Sequence, residues 1–430
     1  MMVDQQAGAS NADGLDAAAH DDGHMDLSDH DSFTGGIPHR TFERLRAEDP
    51  VHWTPEHDGG RGFWSVTGHA DIMTANGNNA VFSSGQGIRI EDQSHAEYMA
   101  RRTFQETDPP EHRQTRRFLN PVFSRPAIAR YEELVRSLAA DIVEQAFARD
   151  EFDAVDALAK QLPMMMLGRI LGVPDADLPF LVEKGDALIG NSDPDFTDTI
   201  IDKADTDAYR FMPFRSPAGA ELYDYAQAVM DGHKEVDPEG ILARVLGANS
   251  EQGVMEARDF KNFFCLLVAA GNDTTRYSIA MALYQLTRDP ALLQQMQAGA
   301  VWNTVSDEFI RLASPTMYFR RTATEDTELG GKAIAKGDKV ILWFVSGNRD
   351  QRVFEDPHGV NLARDPNPHL AFGQGGVHLC LGMWLARMEV RVLLEEIAGR
   401  ISGIEALGAP TWTRSNFICG VKSLPVRIRR

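Results

Sequence analysis

Cysteine is scarce in this chain, with three in 430 residues. Three thiols cannot close a paired disulfide framework, and so few in a long chain suit a reducing compartment. No run of about twenty apolar residues occurs, so no transmembrane helix is expected. The N-terminus has neither the basic start nor the apolar core of a secretory signal. Basic charge is also short, with 43 Lys and Arg against 63 Asp and Glu and a net charge of −20. That balance disfavours nucleic acid as a partner. Residues 1–31 contain no Lys or Arg and are rich in Asp, Ala, Gly and His. Such a segment buries too little apolar surface to order itself. The expectation is a disordered acidic tail over 1–31 and one large domain over 32–430, monomeric and cytoplasmic.

What the chain has in quantity is helical period. Helices are expected near 42–49, 70–75, 111–119, 127–149, 162–171, 260–286, 301–312 and 383–400. Strands are expected at 51–54, 62–67, within 318–345 and in the tail from 412 to 429. The stretch 83–107 reads as irregular, and 191–216 as a mobile connection. The pattern predicts a mainly α fold with small β-sheets.

Cys380 stands in Phe372-Gly373-Gln374-Gly375-Gly376-Val377-His378-Leu379-Cys380-Leu381-Gly382, just before an amphipathic helix. A thiolate at a helix N-terminus is favoured by the macrodipole and by free backbone N–H groups, which predicts a lowered thiol pKa. The flanking glycines allow close approach to something large and flat. The ordinary alternative is a small buried cysteine in a tight turn. A lone thiolate with open space above it suits haem iron. No nearby Cys or His completes a tetrahedral zinc set. Cys265 and Cys419 read as core fillers.

Three further groupings stand out. Asp273-Thr274 follows Ala269-Ala270-Gly271-Asn272 inside an apolar helix, where Thr can divert a backbone bond and bend the helix. Glu308 and Arg311 lie at i and i+3 on one helix face. His112 and Arg116 lie one turn apart, and Arg320 and Arg321 open a strand-like segment. Each has a plain alternative: a polar stripe, a surface ion pair, a solvated basic face. With His378, the basic residues are a set able to clamp two carboxylates.

Together these motifs, in this order and over nearly the whole chain after residue 31, resemble the cytochrome P450 family. The resemblance makes Cys380 the proximal thiolate ligand of haem b. It makes His112, Arg116, Arg321 and His378 the partners of the haem propionates. Glu308 and Arg311, with Arg364, match the family's buried charged triad, and Asp273-Thr274 its acid–alcohol pair. One departure is clear: Phe372 stands eight residues before Cys380 where the family usually has seven, a lengthened loop also found in some bacterial sterol and lipid oxidisers.

The implied activity is a haem-thiolate monooxygenase that uses dioxygen to hydroxylate a hydrophobic small molecule such as a terpenoid, sterol, lipid or hydrocarbon. Thr274 would steady dioxygen or a water, and Asp273 would relay protons. Electrons would come from a separate ferredoxin docking near Arg113, Arg117 and Arg387. Leu266, Ala269, Ala270, Met317, Phe319, Phe417 and Ile418 are the expected substrate contacts. Three alternatives remain at this point: a peroxide-driven oxygenase on the same fold, a non-catalytic haem sensor, and a cysteine-nucleophile hydrolase.

Overall fold

The computed structural model describes residues 21–56, 59–252 and 255–430, without the side chains of 248–252. Its axis is a helix of 32 residues, Ala257–Arg288. Phe260, Phe264, Val268, Tyr277 and Leu283 are all buried along it. A helix apolar on so many faces must be covered on several sides. The helices Gln161–Leu171, Leu178–Ile189, Pro217–Met230 and Val305–Ala313 pack around it. Thr274 Oγ1 donates to the Ala270 carbonyl at 3.3 Å, and the helix continues unbroken through that point. It stops at Arg288, and Asp289 accepts from the backbone of Ala291 at 2.9 Å to cap the next helix.

A mixed five-stranded sheet stands beside the helices. Its order is Val51–Thr54, Phe63–Val66, Lys339–Trp343, Tyr318–Ala323 and Phe82–Ser83. Phe63–Val66 runs parallel to Lys339–Trp343, with Trp64 opposite Val340, and the other pairs are antiparallel. The C-terminal strand Pro425–Arg429 lies between Glu151–Asp153 and Gly403–Ala406. Among the described residues, no helix is long and apolar enough to cross a membrane.

Three expectations change. Residues 1–20 of the acidic tail lie outside the described residues, but 21–31 are part of the folded body. Asp21 is buried. Its carboxylate accepts from the backbone of Arg40 at 2.7 Å and of Thr41 at 3.2 Å. It thereby caps the helix His39–Glu48, whose own N-cap position is Pro38, with no side-chain acceptor. Leu27 and His30 are also buried, and His30 Nδ1 accepts from the backbone of Asn416 at 3.1 Å. Second, the stretch 83–107 contains a helix, His95–Arg101, fixed by a reciprocal capping box between Ser94 and Glu97. Third, 191–216 is irregular but tied down. Asp193 meets Lys422 at 2.8 Å and Asp202 meets Arg414 at 2.6 Å. Those cations lie in the C-terminal segment, remote in sequence.

Candidate active site

The Cys380 loop folds over the helix His69–Gly77. Gly375 takes φ +86°, and a Cβ on Gly376 would come within 2.8 Å of the Asn76 carbonyl oxygen, so neither position tolerates a side chain. The Cys380 N–H donates to the Phe372 carbonyl at 2.9 Å, closing the lengthened loop. The helix Met383–Ala398 starts three residues later. Cys380 is exposed to a cavity of ≈ 200 Å³. Burial among protein groups pushes its thiol up, against the pull of the Gly382 and Met383 backbone N–H groups and the charges of Arg116 and Arg387. The expected lowering is therefore corrected: in the protein alone, desolvation outweighs the helix terminus. Among the described residues no cluster of His, Cys, Asp or Glu is built to hold a metal ion.

Thr274 and Ala270 of the central helix line the same cavity as Cys380. Leu266 and Phe319 line it too. The remaining expected contacts sit elsewhere. Ala269 is buried off the lining. Met317 and Phe417 are buried in backbone pairing, the Met317 N–H donating to the Phe417 carbonyl at 2.9 Å. Ile418 is buried opposite Thr316 in an isolated antiparallel bridge. In their place the lining includes Leu267, Ile310 and Phe344.

The basic set converges on the Cys380 loop. Arg116 Nη1 donates to the Leu379 carbonyl at 2.5 Å. The rings of His112 and His378 lie 4.2 Å apart. Both ring nitrogens of His112 and Nδ1 of His378 are buried without a hydrogen-bond partner. Desolvation, then the nearby arginine charges, lowers His112 to about 4 and His378 to about 2. Arg321 is buried, and desolvation brings it down to about 10. Its Nη2 donates to Asn76 Oδ1 at 2.9 Å. Unpaired buried donors around two cations are what an acidic ligand would satisfy. Arg116 and His378 line the cavity, whereas His112 and Arg321 stand behind them.

Asp273 faces away from the cavity. Its Oδ1 lies 2.7 Å from Arg276 Nη2, and Arg276 Nη1 lies 2.9 Å from Asp186 Oδ1. Asp186 Oδ2 meets Lys160 Nζ at 2.9 Å, and that lysine is partly open to solvent. Asp273 Oδ2 has no partner. Desolvation, opposed by Arg276 and reinforced by Asp186, raises the Asp273 carboxyl to about 7. Glu308 and Arg311 are fully buried and meet at 2.8 Å, with Arg364 Nε at 3.0 Å from Glu308. Desolvation opposes ionisation of Glu308, but these arginines and the Asn361 N–H hold its carboxyl below the usual range. Arg311 also donates to the carbonyls of Asn348, Pro357 and Gly359. The three residues thus anchor the segment ahead of the Cys380 loop.

Sequence reasoning passed over Asn76, Asp186, Lys160 and Glu389. Only Arg276 carried a local signal, at i+3 from Asp273. Glu389 lines the cavity from the helix behind Cys380, and burial raises its carboxyl to about 8. Arg387, expected as a docking cation, is engaged: it meets Asp307 at 2.7 Å and lies over the rings of Phe372 and Trp384. Arg113 and Arg117 are exposed.

Residues 225–399 match the family model described as Cytochrome P450. The chain is 34% identical to a linalool 8-monooxygenase of Pseudomonas putida, over 93% of this chain and 98% of that one. It is 35% identical to a methyl-branched lipid omega-hydroxylase of Mycobacterium tuberculosis, over 90% of each. A solved Mycobacterium marinum cytochrome P450 in complex with pseudoionone superposes with a TM-score of 0.82 at 34% identity, covering 90% of this chain and 94% of that one. The chain belongs to the cytochrome P450 family. It is an oxidoreductase of the monooxygenase type, with a fold that is mainly α.

Proposed function

We propose that this chain hydroxylates a terpenoid-like or branched-lipid substrate with dioxygen, using electrons from a separate ferredoxin. The observation that carries the reading is one cavity lined at once by Cys380, by Thr274 and by apolar side chains. The names of the relatives from Pseudomonas putida and Mycobacterium tuberculosis support the substrate class.

The residues present fit haem b. Cys380 would ligate the iron, and the unpartnered nitrogens of His112 and His378 beside Arg116 and Arg321 would meet the propionates. When bound, the haem supplies dioxygen activation, and a thiolate ligand favours O–O cleavage, a general property of this family. The protein does the rest by placing groups. Leu266, Ala270 and Phe319 hold an apolar molecule and exclude water. The Thr274 hydroxyl, which donates to the Ala270 carbonyl at 3.3 Å and lines the cavity, is available to a water there. Asp273 holds a proton near neutral pH. Asp273 is linked through Arg276 to Asp186 and from there to Lys160, which is partly open to solvent.

The test is reconstitution of the haem-loaded protein with a bacterial ferredoxin, its reductase and NADH, with linalool and a methyl-branched fatty acid offered. Hydroxylated product carrying oxygen from labelled dioxygen supports the reading. Turnover as fast with hydrogen peroxide alone would move it to the peroxide-driven class. Arg113→Glu or Arg117→Glu should slow ferredoxin-driven reduction in a salt-dependent manner, and an unchanged rate would remove that face as the docking site.

A further inference from the structure

Beside the main cavity lies a second pocket of ≈ 90 Å³ with a different lining. The two share Gln105 and Leu266. The second brings together three guanidinium groups, those of Arg89, Arg101 and Arg215. No function described above uses them.

The carboxylates at this pocket are largely accounted for. Glu91 is taken by Arg89 at 3.1 Å. Asp92 is shared among Arg61 at 2.9 Å, Lys339 at 3.3 Å and Arg320 at 3.4 Å. Glu106 accepts from the Thr103 N–H at 3.0 Å, and desolvation raises its carboxyl toward the neutral form. The arginines are less well served. Among the described residues Arg101 makes no ion pair. Its Nε and Nη2 both donate to the neutral Gln93 Oε1, at 3.0 and 2.8 Å. Arg215 reaches only Asp207, at 3.6 Å, and that aspartate is mostly exposed. Two buried donors, Nε of Arg215 and Nη1 of Arg89, have no acceptor at all. Leaving buried donors unpaired costs stability, so such donors commonly mark a ligand position.

The backbone points the same way. Phe214 and Arg215 are consecutive non-glycine residues at φ +58° and φ +52°. Left-handed backbone at a phenylalanine followed by an arginine is strained, and strain of this kind clusters at ligand clamps. The Arg89 guanidinium lies 4.9 Å over the Phe417 ring and 5.8 Å over the Phe214 ring, which holds its planar fork in place.

We propose that this second pocket is a carboxylate subsite, in which Arg101 and Arg215 hold the acid head of an amphipathic substrate whose apolar chain passes Leu266 into the cavity at Cys380. A carboxylate suits the site better than a phosphate. The volume is small, and Glu91 and Asp92 at its edge disfavour a second negative charge. The head group then fixes the direction of the chain, so oxidation falls on carbons remote from the acid. This deepens the hydroxylase reading above and rests on it.

The experiment titrates the haem-loaded wild type, Arg101→Gln and Arg215→Gln with myristic acid and with methyl myristate, reading the ligand-induced spin shift. The wild type is expected to bind the acid about tenfold tighter than the ester or better, the scale of one charged hydrogen bond. In each variant the acid-to-ester ratio should collapse toward one. Equal binding of acid and ester by the wild type, which needs no variant, overturns the subsite. So does an equal loss for both ligands in the variants. Citronellol turnover by the wild type reads the hydroxylase function separately. Product there without acid preference overturns the subsite alone, and no product from any substrate overturns both.

Discussion

Arg276 holds Asp273 by a buried ion pair of 2.7 Å, and the same guanidinium reaches Asp186 at 2.9 Å. Burial of the Asp273 carboxyl outweighs the pull of Arg276, and the nearby Asp186 adds to the effect, so the group sits near 7. The position suits a group that must hold and release a proton at neutral pH.

Asp273→Asn should lower turnover by about a hundredfold, the low end for a lost general acid. The loss should come with an enlarged solvent isotope effect, measured by steady-state rates in light and heavy water. In the wild type the rate should fall as pH rises through about 7, where the carboxyl empties. The variant should lack that limb. Stability carries the opposite signature to that of an ordinary salt-bridged acid. The folded carboxyl is raised, so the native state binds more protons than the unfolded chain between about 4 and 7. Its contribution therefore weakens as pH rises across that window, and Asp273→Asn should flatten the slope in denaturant titrations.

Glu308→Gln leaves Arg311 and Arg364 in the interior without their shared carboxylate. Breaking a buried charge set costs roughly 3–5 kcal/mol. The expected result is a lower unfolding midpoint and substoichiometric haem in the purified protein. A variant with wild-type midpoint and full haem content would count against an anchoring role for the triad.

Asn76 ties the Cys380 loop to Arg321. Its Nδ2 donates to the carbonyls of Gly373 at 3.0 Å and Gln374 at 2.9 Å, while its Oδ1 accepts from Arg321. Asn76→Ala strands these buried groups at about 1–3 kcal/mol each. Haem transfer to excess apomyoglobin should be faster than from wild type. An equal transfer rate would show that the tie is dispensable.

The parts of the site legible in sequence are those whose residues are neighbours along the chain. Cys380 with its glycines, Asp273 beside Thr274, and Glu308 at i+3 from Arg311 all announce themselves within one turn or loop. Asn76, Asp186 and Lys160 gain meaning only through partners far along the chain, so no local pattern marks them. Asp21 misled for the same reason. Its stretch looks too polar to fold, yet it supplies the cap that Pro38 cannot provide. The strands at 51–54 and 62–67 and the long helix were legible because alternation and continuous apolar content are local signals. Met317, Phe417 and Ile418 were misplaced because strand pairing, not apolar character, decides which way their side chains turn.

Cys380 would be the protein ligand of a haem bound in the cavity that Thr274 also lines. The most direct measurement of this is the carbon monoxide difference spectrum of the reduced protein, wild type against Cys380→Ser. The wild type should show the red-shifted Soret band of a thiolate-ligated haem, and the variant should lose that band and its hydroxylase activity. A wild-type protein that binds no haem, or a variant that keeps the thiolate band, would contradict the account.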